Sequence, residues 1–186
     1  MSQEQFDYEV MQELEQAQHD ALLLELLRKT LSYDPATGVF TWAVTRRGRN
    51  GRSDAGQVAG GLQNAGGYRR ISIGGHSYQA HTLAWLWVNG RFPQGDIDHI
   101  NGLKDDNRID NLRDVSRSVN LQNMRKPRST NTSGYLGVSL FKRTGKYTAE
   151  ITINYQKKNL GYFSTAEEAS AAYLKAKREL HEGCTL

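Results

Sequence analysis

Residues 96–123 read DIDHINGLKDDNRIDNLRDVSRSVNLQN, and this segment carries the strongest pattern in the chain. The pair Asp98-His99 follows the apolar Ile97, and a tight turn is predicted at Asn101-Gly102. A predicted helix then carries Asn120. Successive side chains of a strand point to opposite faces, so Asp98 and His99 are expected to address different groups. The segment therefore predicts a strand, a turn and a helix that present a carboxylate, an imidazole and an amide.

These side chains have the chemistry that metal-assisted phosphodiester hydrolysis requires. Mg²⁺ takes oxygen ligands and keeps several waters, so the Asp98 carboxylate and the Asn120 amide oxygen are enough to hold it. A neutral imidazole has an ordinary pKa of about 6.5 and can accept a proton from water near neutral pH. Hydrolysis needs such a base for the attacking water and a cation on the scissile phosphate. We therefore expect His99 to address a water rather than the metal.

The segment resembles the HNH endonuclease motif of the phage and intron-encoded homing branch, through the ordered residues D-H-I-N-G, D-N-R, N-L-R and two later asparagines. The resemblance extends over about residues 31–125 and implies a ββα-metal fold that cuts DNA. It implies that Asp98 and Asn120 hold one Mg²⁺ or Mn²⁺ ion per active site. It also implies that His99 is the general base and that Asn111 braces the loop and helps orient the histidine. Three arginines are expected to bind the DNA backbone beside the cut: Arg108, Arg113 and Arg117.

The chain is predicted to be an α+β protein made of four segments. Residues 1–30 form an acidic N-terminal helix, and residues 31–124 form the nuclease module with N-terminal β-hairpins. Residues 125–133, which read RKPRSTNTS, are a basic linker with the composition of a flexible joint. Residues 134–186 form a second small module.

Local patterns support the first half of this division. Apolar residues between Tyr8 and Lys29 follow helical spacing. Turn signals at 34–38 and at Gly74-Gly75 each separate two alternating runs, which predicts two hairpins. Residues 81–89 are predicted to form a short apolar helix that ends at Gly90. Residues 45–56 hold four arginines and three glycines, which indicates a mobile basic loop, either solvated or resting on phosphates.

The second module is predicted to contain three strands and one helix. The strands are expected near 135–140, 146–154 and 158–162, and the helix is expected to be capped by Ser164 or Thr165. Its residues GYLGV, GKYTAEI and LGYFSTAEEASAAY resemble the Apetala-two/ERF DNA-binding domain, which implies a three-stranded sheet in the major groove of DNA. Five basic residues are expected to contact phosphates: Lys142, Arg143, Lys146, Lys157 and Lys158. A solvated basic sheet, or one that binds protein, is the alternative.

Charge and composition agree with a nucleic-acid partner. Residues 1–30 hold seven acids and two bases, whereas residues 31–133 hold fourteen bases and eight acids. Basic blocks of this kind favour a polyanionic partner. Cys184 is the only cysteine, which excludes disulfides and cysteine-ligated zinc.

The expected partner is therefore double-stranded DNA, with no small-molecule substrate and no obligate protein partner. The sequence has no apolar run of 18 residues and no signal-peptide pattern, so no membrane association is expected. A cytoplasmic location in a bacterial host is expected, for a protein encoded by a phage or another mobile element.

Two alternatives to a DNA endonuclease remain at this point. One is a non-catalytic, sequence-specific DNA-binding protein that binds DNA with both modules. The other is an RNA-binding or RNA-cleaving protein, which a sheet shaped for a wide major groove fits poorly. The sequence leaves open the target site, the choice between nicking and double-strand cleavage, and the oligomeric state.

Overall fold

The computed structural model describes residues 3–48, 51–63 and 66–185. The chain folds into two compact units: residues 1–99 with 103–114 form the first, and residues 100–102 with 115–186 form the second. Both units combine small sheets with separate helices, which agrees with the predicted α+β class. None of the helices in these residues is long and apolar enough to cross a membrane.

The first unit begins with a long helix, continues through short hairpins into a second helix, and ends with a pair of strands. Its elements follow in chain order: α1 (Gln3–Thr30), β1 (Leu31–Asp34), β2 (Val39–Trp42), β3 (Arg46–Gly48), β4 (Gly51–Ser53), β5 (Gly61–Leu62), β6 (Arg69–Ile73), β7 (His76–Gln79), α2 (Ala80–Asn89), β8 (Asp96–His99) and β9 (Leu112–Val115), whose last residue belongs to the second unit. β1 pairs with β2, β3 with β4 and β8 with β9, while β5, β6 and β7 form a three-stranded sheet. A 3₁₀ turn, Ile109–Asn111, precedes β9.

The core of the first unit is formed by α1, α2 and the hairpins. Leu27 of α1, Phe40 of β2, Ile71 of β6 and Leu83 of α2 are completely buried. Burial of one such side chain contributes about 1.5–3 kcal/mol relative to leaving it exposed. This core therefore fixes β1, β2 and α2, the elements that contact the residues around His99.

Most of the expected elements of the first unit are confirmed. The N-terminal helix is longer than its apolar spacing indicates. Both hairpins form with the expected turns, and α2 ends at Gly90, whose positive φ of 73° and backbone N–H close the helix on Leu86.

The expectation of a mobile loop at residues 45–56 is wrong for the residues that the structure describes there. Arg46 pairs with Ser53 and Arg47 with Arg52 in the β3–β4 hairpin. The guanidinium of Arg46 lies 4.3 Å from the centre of the Trp42 ring and donates a hydrogen bond to the Ser72 carbonyl. This arginine is held by the nearby Trp42 ring and by a backbone carbonyl 26 residues away, and composition cannot reveal the second partner. Residues 49 and 50 lie outside the described residues.

The second unit contains a short helix, a three-stranded antiparallel sheet and a longer helix packed on that sheet. Its elements are α3 (Arg117–Gln122), β10 (Val138–Phe141), β11 (Lys146–Ile153), β12 (Gln156–Phe163) and α4 (Ala166–Leu180), and the strand order is β10-β11-β12. The predicted three strands and one helix are confirmed. Thr165 and Glu168 form a capping box at the start of α4, so Thr165 is the cap.

The first strand of this sheet starts later than expected because of close packing at Gly137. Gly134 and Gly137 have positive φ values of 78° and 66°. A Cβ on Gly137 would lie 2.1 Å from the ring of Tyr173 on α4. The backbone therefore passes the Tyr173 ring of α4 at Gly137, where there is no side chain, and β10 begins at the next residue, Val138.

Residues 125–133 have no helix or strand but make specific contacts within the second unit. The Asn131 amide donates to the Tyr135 carbonyl at 2.9 Å, and the Ser133 hydroxyl donates to the Val138 carbonyl at 2.8 Å. These bonds attach the segment to the start of the sheet. The four-segment boundaries given above remain predictions.

Candidate active site

Strand β8 places Asp98 and His99 side by side, and both are only 4% exposed. The Asp98 carboxylate accepts hydrogen bonds from Nε of Arg113 at 2.8 Å and from Nη2 at 2.7 Å, and Arg113 lies on the neighbouring strand β9. Such charge-assisted pairs are stronger and more directional than neutral ones. Arg113, which was expected to bind the DNA backbone, therefore orients the carboxylate of Asp98 in this structure.

His99 lies in a pocket of aromatic rings. The ring centres of His81 and Tyr68 are 5.1 Å and 5.8 Å from that of His99. Burial lowers the pKa of His99, and the contact with Asn107 and the charge of Asp98 offset this only in part. His99 is therefore neutral near neutral pH, which is the state that accepts a proton.

Asn107 faces the imidazole of His99, with its side-chain oxygen 3.5 Å from Nε2. When the proton of the neutral ring is on Nε2 and points at this oxygen, Nδ1 is the nitrogen that can accept a proton. The sequence interpretation assigned no role to Asn107, although it is the central residue of the D-N-R triplet. Its spacing of eight residues from His99 is the signal that could have indicated it.

The β1–β2 hairpin holds Asn107 in place. The Tyr33 hydroxyl donates to the Asn107 carbonyl at 2.7 Å, and the Asn107 amide donates to the Asp105 carbonyl at 3.1 Å. A Cβ on Gly38 would lie 2.5 Å from the carbonyl carbon of Asn107 and 2.3 Å from the Arg108 nitrogen. Burial raises the pKa of Tyr33 to about 12, so its hydroxyl remains a donor. The hairpin thus supports the loop that faces His99.

Asn111 braces the same loop from its other end. Its amide donates to the Asp106 carbonyl at 2.8 Å, and the residue is buried at the end of the 3₁₀ turn. Arg108 forms a two-bond ion pair with Asp106, at 2.8 Å and 2.6 Å, with half of its side chain exposed. The loop therefore exposes Arg108 to solvent, while the side-chain amides of Asn107 and Asn111 hold its interior.

The remaining residues predicted for this site belong to the second unit. Asn120 and Arg117 lie on α3, where Asn120 is half-buried and Arg117 is exposed. The Ser116 hydroxyl caps this helix by accepting a hydrogen bond from the Val119 N–H. The structure therefore brings Asp98, His99 and Asn111 together in the first unit and places Asn120 on a capped helix of the second.

All five basic residues predicted on the sheet are exposed: Lys142, Arg143, Lys146, Lys157 and Lys158. The Arg143 guanidinium lies 5.5 Å from the centre of the Phe141 ring, and that ring lies 5.3 Å from the ring of Tyr162. More than half of the Tyr162 surface is exposed. The sheet thus carries basic and aromatic side chains together, and Tyr162 was missed because its L-G-Y-F context is also typical of a core aromatic.

The donor set fits a hard divalent cation. Among the residues that the structure describes, no group of three or more His, Cys, Asp or Glu side chains forms a metal cage. Mg²⁺ is commonly held by one or two carboxylates together with water and phosphate oxygens. The buried carboxylate of Asp98, oriented by Arg113, is one oxygen donor of that kind.

Comparison with known proteins identifies the class. The family model described as HNH endonuclease matches residues 78–122, which include β8, β9 and α3. The chain is also 34% identical over 102 residues to Protein 3.8 of Escherichia phage T7, an alignment that covers 54% of this chain and 83% of that protein. The chain belongs to the HNH endonuclease family, and this membership implies a phosphodiester hydrolase with a DNA substrate. No solved structure matches the chain.

Proposed function

We propose that this protein is a metal-dependent DNA endonuclease of the homing type, encoded by a phage or another mobile element. It hydrolyses phosphodiester bonds in double-stranded DNA at a site selected with its C-terminal module. The observation that carries the proposal is the buried Asp98-His99 pair on β8, in which an arginine orients the carboxylate and burial keeps the imidazole neutral. Family membership and a phage relative support it.

In the proposed reaction, Nδ1 of His99 takes the proton of a water that attacks the scissile phosphorus. Asn107 holds the opposite nitrogen of the ring, and Tyr68 and His81 limit the rotation of the imidazole. Asp98 and Asn120 would hold the divalent ion, which supplies positive charge to the phosphate and to the departing 3′ oxygen. The bond between phosphorus and the 3′ oxygen breaks, the departing oxygen takes a proton from solvent, and hydrolysis leaves a 3′-hydroxyl and a 5′-phosphate.

The C-terminal sheet is proposed to select the site in the manner of an Apetala-two/ERF domain. A twisted sheet can enter the major groove of B-DNA, which is about 12 Å wide. The exposed lysines and Arg143 would contact phosphates, and such contacts set affinity and register more than base choice. Phe141 and Tyr162 add apolar surface that can lie against base edges.

The test is cleavage of phage and host genomic DNA with Mg²⁺ or Mn²⁺, followed by mapping of the new ends. We expect wild-type protein to cut and excess EDTA to stop cleavage, while His99→Ala binds DNA but does not cut. The matched control is His76→Ala, because His76 is an exposed histidine of β7 in the same unit. A wild-type protein that binds duplex DNA and never cuts it would instead establish the non-catalytic DNA-binding function.

A further inference from the structure

Gly183 lies against α3, the helix that carries Asn120. The Gly183 backbone N–H donates to the side-chain oxygen of Gln122, the last residue of α3, at 3.0 Å. A Cβ on Gly183 would come within 2.1 Å of the Val119 carbonyl oxygen. Gly183 is itself buried. The absence of a side chain at 183 therefore permits a direct backbone approach to α3.

Thr185 connects the residue after His99 with the residue after α3. Its hydroxyl lies 2.7 Å from the carbonyl oxygen of Ile100 and 2.5 Å from the side-chain oxygen of Asn123. The Arg125 guanidinium donates to the same Ile100 carbonyl at 2.9 Å and to the Thr185 hydroxyl at 2.6 Å. All four residues belong to the second unit. One threonine hydroxyl thus contacts both Ile100, which follows His99, and Asn123, which follows α3.

Helix α4 holds the same region through a buried lysine. The ammonium group of Lys177, which is 1% exposed, donates a hydrogen bond to the Met124 carbonyl. Burial also lowers the pKa of Lys177. Met124 lies between Asn123 and Arg125, so the chain immediately after α3 is held on both sides by residues of the C-terminal module.

We propose that Gly183 and Thr185, here called the 183–185 clamp, are positioning residues that hold α3 and the Ile100 carbonyl in place for DNA cleavage. The inference rests on the proposed function, in which α3 supplies a metal ligand and the residue before Ile100 is the base. Such an element acts through geometry, because misplacing a catalytic group by about 1 Å can cost about 100-fold in rate. The clamp assigns the C-terminal residues a part in cutting, in addition to the part of their module in binding.

The test uses the full chain with two substitutions at the same position. Thr185→Val removes the hydroxyl and keeps the shape, whereas Thr185→Ser keeps the hydroxyl. Thr132→Val is the matched control, because Thr132 is an exposed threonine of the same unit. Gly183→Ala is a second, independent variant, because its new methyl group meets the Val119 carbonyl.

Three measurements separate positioning from folding and from binding. At saturating protein, we expect the single-turnover cleavage rate to fall at least about tenfold in Thr185→Val and Gly183→Ala, and by less than about twofold in Thr185→Ser and Thr132→Val. In EDTA, the affinity of every variant for duplex DNA should stay within about twofold of the wild type. Amide exchange in α3 should be faster in Thr185→Val than in the wild type by about tenfold.

Two results would overturn the clamp. One is wild-type cleavage and wild-type α3 exchange in Thr185→Val. The other is a loss of rate that parallels a loss of DNA affinity and that Thr185→Ser does not restore. If the wild-type protein itself cuts no DNA, the nuclease proposal fails. Amide exchange in α3 is then the test of whether the 183–185 clamp holds this helix. An unchanged exchange rate in Thr185→Val would refute it.

Discussion

Replacing Tyr33 with phenylalanine tests how the β1–β2 hairpin supports the loop that faces His99. The Tyr33 hydroxyl donates to the carbonyl of Asn107, a residue that is only 1% exposed. Tyr33→Phe keeps the ring in the core and leaves this carbonyl without its donor. A buried acceptor that loses its partner costs about 1–3 kcal/mol. We therefore expect the free energy of unfolding to fall by about 1–3 kcal/mol.

Urea denaturation followed by tryptophan fluorescence measures this change. The midpoint should decrease without a change in slope, because the folded state keeps its buried area. Tyr155→Phe is the matched control, since Tyr155 is 85% exposed, and its free energy should stay within about 0.5 kcal/mol of the wild type. Equal midpoints for Tyr33→Phe and the wild type would show that the hydroxyl does not hold Asn107.

Three further predictions concern charge. Asp98→Asn should abolish cleavage and keep the fold, because the amide oxygen still accepts from Arg113 but the charge is lost. Burial lowers the pKa of His81 to about 4, so its contribution to stability is complete above the unfolded pKa of about 6.5 and is lost as pH falls toward 4. Between pH 7 and pH 4.5, the free energy of unfolding of the wild type should therefore fall by about 2–3 kcal/mol more than that of His81→Gln. Lys146→Ala should reduce the slope of log affinity against log salt by about one unit.

Each of these predictions has a specific control and a contradicting result. For Asp98→Asn, circular dichroism checks the fold, and full cleavage activity refutes the metal-ligand role. For His81, parallel loss of stability in both proteins between pH 7 and pH 4.5 shows that its burial is not the cause. For Lys146, the control is Lys175→Ala on the exposed face of α4. Equal salt slopes for both alanine variants would show that Lys146 does not contact DNA.

Local chemistry made much of the fold predictable. The hairpin turns at 34–38 and at Gly74-Gly75 depend on residues adjacent in sequence, and both form as expected. The same holds for the cap of α4, where Thr165 and Glu168 are three residues apart. Asp98 and His99 are neighbours in the chain, so the sequence alone predicted that they would be together.

Contacts distant in sequence could not be predicted in this way. A mobile basic loop was expected in place of the β3–β4 hairpin, because the hydrogen bond from Arg46 to the Ser72 carbonyl, 26 residues away, forms only in the folded chain. Tyr33 and Asn107 are 74 residues apart, and their bond requires the folded hairpin. The pairing of Arg113 with Asp98 depends on the register of β8 and β9. In each case the sequence does not show which group of the folded chain lies opposite the side chain.

The most direct test of the proposed mechanism is chemical rescue of a variant that lacks the His99 imidazole. In His99→Gly, the removed side chain leaves a space beside Asn107, Tyr68 and His81. With saturating protein and Mn²⁺, cleavage by His99→Gly should fall by about 100-fold or more and should rise with added imidazole. The same imidazole should not restore cleavage by Asp98→Asn. Wild-type cleavage by His99→Gly without imidazole would contradict the role of His99 as the base.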